Sequence, residues 1–170
     1  SHDIHVVSEF SIINPHYESL MVKCGGTIVV VVYRPPSNTV ATFLEFLENI
    51  LEWCTEIGEH TIICGDFNID VLSEDPARQR LLDVFHSFGH ENVIHVPTRV
   101  TEMSQTLLDL CFTNCQVNEL EAGVLLSDLS DHLPIFIFYH LVQHNVKNPQ
   151  VMHPLCIGSL MMKILCCFKV

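Results

Sequence analysis

A mixed β-sheet protein with helices packed against its outside is what this sequence predicts, on three observations. Apolar runs of strand length outnumber helical patterns, and two amphipathic segments of period three to four alternate with them. Apolar residues make up 48% of 170 positions, enough for one core of ordinary size. That composition excludes a disordered or collagenous chain.

The elements follow in order. Thr27 to Tyr33 is a nearly pure β-branched run, closed by Arg34-Pro35-Pro36, which can neither continue a ladder nor enter a helix interior. From Asn38 the period changes, with Val40, Phe43, Leu44, Leu47, Ile50, Leu51 and Cys54 on one helical face. Ser37 to Thr39 offer caps and Gly58 a stop. His60 to Cys64 reads as a short strand with Gly65-Asp66-Phe67-Asn68 at its carboxyl end. A second helix is capped by Asp75, opens on Pro76, turns Leu81, Leu82, Phe85 and Phe88 inward and ends at Gly89. Further strands are expected at 92–96, 106–113, 123–126 and 135–140.

After Leu141 the character changes: 142–154 is polar and irregular, and 155–170 is apolar with two lysines. The domain is therefore expected over 1–141, with 142–170 an appended tail outside it. The apolar stretch is short for a membrane span and is interrupted by Lys163, so a membrane anchor, for which Cys166 and Cys167 are the acylation candidates, ranks below a packed terminal helix or non-native coding sequence.

Eight Lys and Arg against twenty Asp and Glu give a net charge of −12, the wrong sign for gripping a polyanion by general electrostatics. Nucleic-acid binding then requires a local basic stripe or a metal. Most of the eight cysteines lie within apolar runs and read as free thiols, favouring a reducing, intracellular setting, nuclear or cytoplasmic. Cys111 and Cys115 lack a second pair at zinc spacing, no phosphate-cradling glycine loop occurs, and no small-molecule cofactor is expected.

Two constellations carry chemistry. Asp66 and Asn68 stand two apart at a strand end; if the chain stays extended there, a carboxylate and an amide converge on one water. Taken alone, Gly-Asp-x-Asn reads better as a turn signal than as a site. Ser130-Asp131-His132 precedes another apolar run, and Asp109 sits inside an apolar segment where an unpaired charge is costly, so a partner such as an imidazole is expected. An Asp–His pair orients the ring and raises its basicity, as a proton carrier or phosphate donor requires. The alternative puts Asp109 on the solvent face of an edge strand.

Taken together, Val32-Tyr33-Arg34-Pro35-Pro36, Gly65-Asp66-Phe67-Asn68, Pro97-Thr98-Arg99, Ser104-x-Thr106-x2-Asp109 and Ser130-Asp131-His132-x-Pro134 resemble, in order and spacing, the endonuclease/exonuclease/phosphatase superfamily. The wording is most similar to the apurinic-like endonuclease domain of non-LTR retrotransposons, over roughly 10–141. The resemblance implies an α+β fold, a partial four-layer α/β/β/α sandwich of the DNase I-like kind, and metal-dependent nicking of DNA beside a reverse transcriptase domain in the full-length parent. It further implies that Asp66 activates the attacking water, Asn68 orients water or phosphate, Tyr33 contacts a phosphate oxygen, and His132, supported by Asp109, binds the scissile phosphate. Asp131 matches a carboxylate near the metal, magnesium or in its place manganese; Thr98 and Ser130 match positions near the DNA backbone, and of the nearby cations Arg34 and Arg99, Arg34 is the expected substrate contact.

The family also carries, upstream of the Tyr strand, an Asn and a metal-ligating Glu. Neither Glu9 nor Glu18 stands in the expected context, and the chain opens at Ser1 without an initiator Met. The expectation is a domain lacking its N-terminal strands, with weakened or absent metal binding and impaired catalysis unless that Glu is replaced. The alternatives are an inert remnant or non-catalytic module, and a phosphatase of the same fold.

Overall fold

The computed structural model describes residues 4–127, 130–141 and 160–166. Its elements in chain order are β1 (Ile4–Val6), β2 (Ile12–Ile13), β3 (Glu18–Cys24), β4 (Thr27–Tyr33), α1 (Val40–Ile57), β5 (His60–Asp66), α2 (Pro76–Ser87), β6 (Glu91–Asn92), β7 (Arg99–Val100), β8 (Gln105–Thr106), β9 (Asp109–Thr113), β10 (Leu120–Val124), β11 (Ile135–Leu141) and β12 (Leu160–Cys166).

Seven strands form the main sheet in the order β1-β3-β4-β5-β9-β6, with β2 also on β3. β3 and β4 are antiparallel around Gly25-Gly26, both at positive φ, as a two-residue hairpin turn requires. β4 and β5 are parallel, so the chain must cross over between them, and α1 makes that connection. A second sheet, β10-β11-β12, and the hairpin β7-β8 complete the frame.

The helices stop where their sequence says. Asp75 accepts a hydrogen bond from the Ala77 N–H with Pro76 behind it, and Gly58 closes α1 in the left-handed region at φ 70°. Apolar side chains of α1, α2 and the main sheet form one core. Phe67 sits inside it, meeting Phe43, Phe85 and Phe112 edge-on at centroid distances of 5.7, 6.1 and 5.8 Å, while Phe85 stacks on Phe112 at 3.7 Å. Because Phe67 follows Asp66 directly, burial of this ring fixes the end of β5. The second sheet reaches the main one where Tyr139 meets the His60 ring at 6.3 Å, on the row that begins β4 and β5.

Several expectations are corrected. The strand expected at 92–96 is confined to Glu91–Asn92, after which the Asn92 side chain bonds the Ile94 backbone at both its carbonyl and its N–H and turns the chain out of the ladder. The strand expected over 106–113 is two strands, because Leu107 N–H donates to Asp70 Oδ1 and Leu108 N–H to Thr98 Oγ1 instead of to a ladder. Strand β10 lies three residues earlier at its start than expected. Three strands, β1 to β3, precede the Tyr33 strand where the sequence reading assigned none. Within the stretch expected to be an appended tail, 142–159 and 167–170 lie outside the described residues, and Leu160–Cys166 pairs antiparallel with β11 as a strand rather than a helix. No helix among the described residues is long and apolar enough to cross a membrane.

Candidate active site

Asp66 ends β5 and Asp109 begins β9, and the antiparallel register sets them opposite one another. Their backbone bonds point away from each other: the Asp66 carbonyl accepts from Arg34 N–H at 2.9 Å, and Asp109 N–H donates to Thr98 Oγ1 at 2.9 Å. The neighbouring contact, Phe67 N–H to the Leu108 carbonyl at 3.0 Å, ties the chain together just beyond the pair. The aspartates are therefore a non-hydrogen-bonded pair, the kind in which side chains approach most closely. Both are buried, Asp66 completely.

His132 enters from the loop before β11 and sets Nδ1 3.0 Å from Asp109 Oδ2. That loop is held on β7: Arg99 and His132 form an isolated bridge, Leu133 N–H donates to the Thr98 carbonyl and Val100 N–H to the Asp131 carbonyl. One ligand atom each from Asp66, Asp109 and His132 lie within 4.8 Å of one another. Asp66 Oδ1 accepts the Asn68 N–H at 3.0 Å, whereas Oδ2 is buried with no hydrogen-bond partner.

Burial, reinforced by the charge of Asp109, pushes the Asp66 carboxyl up to about 6, against the opposing pull of the Asn68 N–H, His132 and Arg34. Burial also raises Asp109, against the Thr98 hydroxyl and His132. A carboxyl raised on folding holds its proton where the unfolded chain has lost it, so it favours the fold at low pH and the advantage disappears as pH climbs to the folded value. In the absence of divalent metal, unfolding free energy is therefore expected to fall between pH 4 and 6, with Asp66 contributing about 2–3 kcal/mol of that loss. Denaturant melts across that range check the sign; a rise with pH contradicts it.

A divalent cation suits this donor set. Two facing carboxylates are ligands that magnesium or manganese accepts, and the buried Asp66 Oδ2 has no hydrogen-bond partner to occupy it.

The other residues singled out in the sequence are placed as follows. Asn68 leaves the extended path at φ 49°, so its amide does not run alongside Asp66; Nδ2 donates to the Arg34 carbonyl at 2.8 Å and the backbone N–H holds Asp66. Tyr33 is the register partner of Asp66 on β4, on the same face and partly exposed. Thr98, expected near the DNA backbone, is fully buried; its Oγ1 accepts from the N–H groups of Leu108 and Asp109. It positions Asp109 and the His132 loop, and its burial keeps it from a polymer substrate. Ser130 is exposed and its Oγ accepts the His132 N–H at 3.2 Å. Asp131 does not join the cluster: Arg99 Nε donates to its Oδ2 at 2.8 Å, and Arg99 holds the exposed carboxyl below its usual range.

Arg34, expected as a substrate contact, is 3% exposed and donates to the carbonyls of Phe67, Pro35, Asn38 and Asn68 at 2.8, 3.3, 2.7 and 2.5 Å. It clamps the turn that carries Asp66 and Asn68, which corrects the expected role. Arg34→Met removes every one of those donors at similar length and is expected to destabilise the chain by about 3 kcal/mol. Arg34→Lys is not expected to restore it, because an ammonium lacks the planar fork. Chemical denaturation of both variants tests this, and a neutral Arg34→Met would contradict the clamp.

Sequence reasoning missed Thr98 as an anchor and Gly65 as a contact point. A Cβ on Gly65 would lie 1.9 Å from the Val32 carbonyl oxygen. The Gly-Asp-Phe-Asn string carried that signal, in a glycine placed just where two parallel strands converge.

A main sheet ending in a buried carboxylate pair and a histidine, with helices on one side and a second sheet on the other, is the frame of the endonuclease/exonuclease/phosphatase superfamily expected from the motifs. The family model described as endonuclease-reverse transcriptase matches residues 27–136, and the chain belongs to that family. Among solved structures it is similar to the endonuclease domain of TRAS1, a telomere-specific non-LTR retrotransposon, at TM-score 0.61 and 17% identity over 84% of this chain and 69% of that one. It is also similar to the 3′ phosphatase NExo from Neisseria bound to product DNA hairpin (TM-score 0.54, 16% identity, 78% of this chain and 68% of that one). An AP endonuclease from Archaeoglobus fulgidus gives TM-score 0.53 and 16% identity over 70% of this chain and 63% of that one. These identities speak for the fold, α+β and DNase I-like in part. No curated protein matches the sequence.

Proposed function

We propose that this domain hydrolyses the phosphodiester backbone of DNA in a metal-dependent reaction, as the nicking endonuclease of a non-LTR retroelement whose full-length parent also carries a reverse transcriptase. The observation that carries the reading is the buried Asp66–Asp109 pair with an unpartnered Asp66 Oδ2 and His132 bonded to Asp109. Magnesium, or manganese in its place, would be held by the carboxylates of Asp66 and Asp109 and would supply charge stabilisation at the phosphate.

The chain's own groups do the rest. Asp66, ionised above pH 6, accepts the proton of an attacking water while the Asn68 N–H fixes its carboxylate. With Nδ1 on Asp109, His132 has Nε2 left for a phosphate oxygen. Tyr33, adjoining Asp66 on the same face, is the phenol nearest in register for a second phosphate contact. The rate is expected to be low, because the upstream Asn and Glu implied by the resemblance have no match in their usual context. The free state of Cys24, Cys54, Cys64, Cys111 and Cys115 supports a reducing compartment.

The test is conversion of supercoiled plasmid to nicked circles by the purified chain with magnesium or manganese, beside an EDTA control and a panel of inositol and lipid phosphates. Slow metal-dependent nicking is expected. Turnover of phosphate monoesters alone would make it a phosphatase of the same fold, and no turnover from folded protein would leave an inert remnant.

A further inference from the structure

Two cysteines face one another directly behind the aspartates. Cys64 of β5 and Cys111 of β9 are register partners, as Asp66 and Asp109 are one alternation further along the same two strands. The Cys111 N–H donates to Asn92 Oδ1 at 3.2 Å and its carbonyl accepts from the Val93 N–H at 2.9 Å, both on the side away from β5. The cysteines are therefore a non-hydrogen-bonded pair, in which facing Cα atoms stand about 4.5 Å apart. Their neighbours Ile63 and Phe112 are also register partners, and Phe112 stacks on Phe85 of α2. The cysteine side chains accordingly leave the sheet on its other face, the one that presents Asp66 and Asp109.

Both cysteines are buried and both are thiols in this structure. A disulfide needs Cα atoms about 4.4–6.8 Å apart and side chains directed at one another. The pair meets the first condition at its short end and the second by register. An open cavity of about 370 Å³ leads towards it: Ile13, Leu20, Val31 and Tyr33 line that cavity, and half-buried Val31 is the register partner of Cys64 on the same face. A small oxidant entering there meets Cys64 before Cys111.

We propose that Cys64 and Cys111 are a modification site for peroxide, closing to a reversible disulfide that joins β5 to β9 behind the two aspartates. The inference stands apart from the metal-dependent reading above. In the first step the Cys64 sulfur attacks hydrogen peroxide, the O–O bond breaks, and a sulfenic acid and one water are formed. In the second the Cys111 sulfur displaces the sulfenic oxygen, which leaves as a second water with the remaining thiol proton. Two electrons pass from the sulfurs to the peroxide. Burial keeps the attacking thiolate scarce, so closure takes about minutes to hours. The short Cα separation strains the bond and makes it easy to reduce, as a reversible link requires.

The experiment treats the full reduced chain with hydrogen peroxide and reads intact mass, disulfide-linked peptides and Tm, for wild type, Cys64→Ala, Cys111→Ala and the controls Cys54→Ala and Cys115→Ala. The expected result is a link between residues 64 and 111 in wild type and both controls, absent from Cys64→Ala and Cys111→Ala and reopened by reduced glutathione. Because the bond closes a loop of about 50 residues, Tm of the oxidised chain is expected to rise by roughly 5–10 °C. In Cys111→Ala the sulfenic acid persists at Cys64 and is captured by dimedone. Folded wild-type protein that keeps both thiols, or links either to a different cysteine, overturns the proposal. A 64–111 link that glutathione leaves intact overturns its reversibility. Either alanine variant suffices if the other does not fold, and the wild-type peptide map decides by itself if neither does.

Discussion

Asp66→Asn is expected to remove strand nicking and at the same time to make the metal-free fold more stable at neutral pH. The two effects come from one atom group. Catalysis needs a carboxylate to take a proton and to attract a cation, and loss of a positioned general base alone lowers rates by about 10²–10⁴. The fold tolerates that carboxylate poorly: it is fully buried, faces Asp109 and leaves Oδ2 unpartnered, which is why its ionisation is delayed to about 6. An amide of equal shape removes the charge, keeps an oxygen for the Asn68 N–H and gains a donor for Asp109. The expected gain is about 2–3 kcal/mol at pH 7, or roughly 5–10 °C in Tm, shrinking towards zero near pH 4 where the wild-type carboxyl is protonated. A variant that loses both nicking and stability at pH 7 would assign Asp66 a structural role instead.

Gly65→Ala is expected to have the largest effect on stability. Gly65 has φ 145°, and a Cβ there would lie 1.9, 2.8 and 2.9 Å from the carbonyl oxygen, carbonyl carbon and amide nitrogen of Val32. These are backbone atoms of the adjoining parallel strand, so relief requires β4 and β5 to separate at the point where Tyr33 and Asp66 sit side by side. The cost is expected to exceed about 4 kcal/mol, beyond the usual range for a single substitution and enough to unfold many domains of this size. Gly89→Ala is the matched control: it too has positive φ, at 69°, yet nothing lies within 4 Å of its added Cβ, and it is expected to cost about 1 kcal/mol. Circular dichroism and denaturant melts of the two separate close approach from φ preference, and near-equal losses would contradict the steric account.

What could be read from the sequence was what periodicity and capping determine. The bounds of β4 match the β-branched run, and α1 and α2 stop at Gly58 and Gly89 as their glycines indicate. The Asp109–His132 contact followed from the cost of burying a lone carboxylate, and its observed distance of 3.0 Å is that of a direct hydrogen bond. Features fixed by register were out of reach. β1 and β2 are only three and two residues long, and in β3 the residue types do not follow burial: Glu18 and Leu20 are both exposed, and Ser19 and Met21 both buried, at the exposed edge of the sheet. In the sequence Thr98 and Arg34 read as substrate contacts, because nothing local distinguishes a hydroxyl that catches two backbone N–H groups, or a guanidinium that catches carbonyls, from one that faces solvent. Asn68 was expected to extend beside Asp66, and its left-handed φ is instead set by the burial of Phe67 and the Arg34 clamp.

The central claim is that Asp66, Asp109 and His132 act as one metal-dependent unit. Single-turnover nicking of plasmid at saturating magnesium by wild-type protein, Asp66→Asn, His132→Ala and the double variant tests it most directly. The account predicts that each single variant loses about 10²–10⁴ in rate and that the double variant is no worse than the slower single one, as residues of one catalytic unit behave. Nicking that persists near the wild-type rate in either single variant, or losses that multiply in the double, would contradict it.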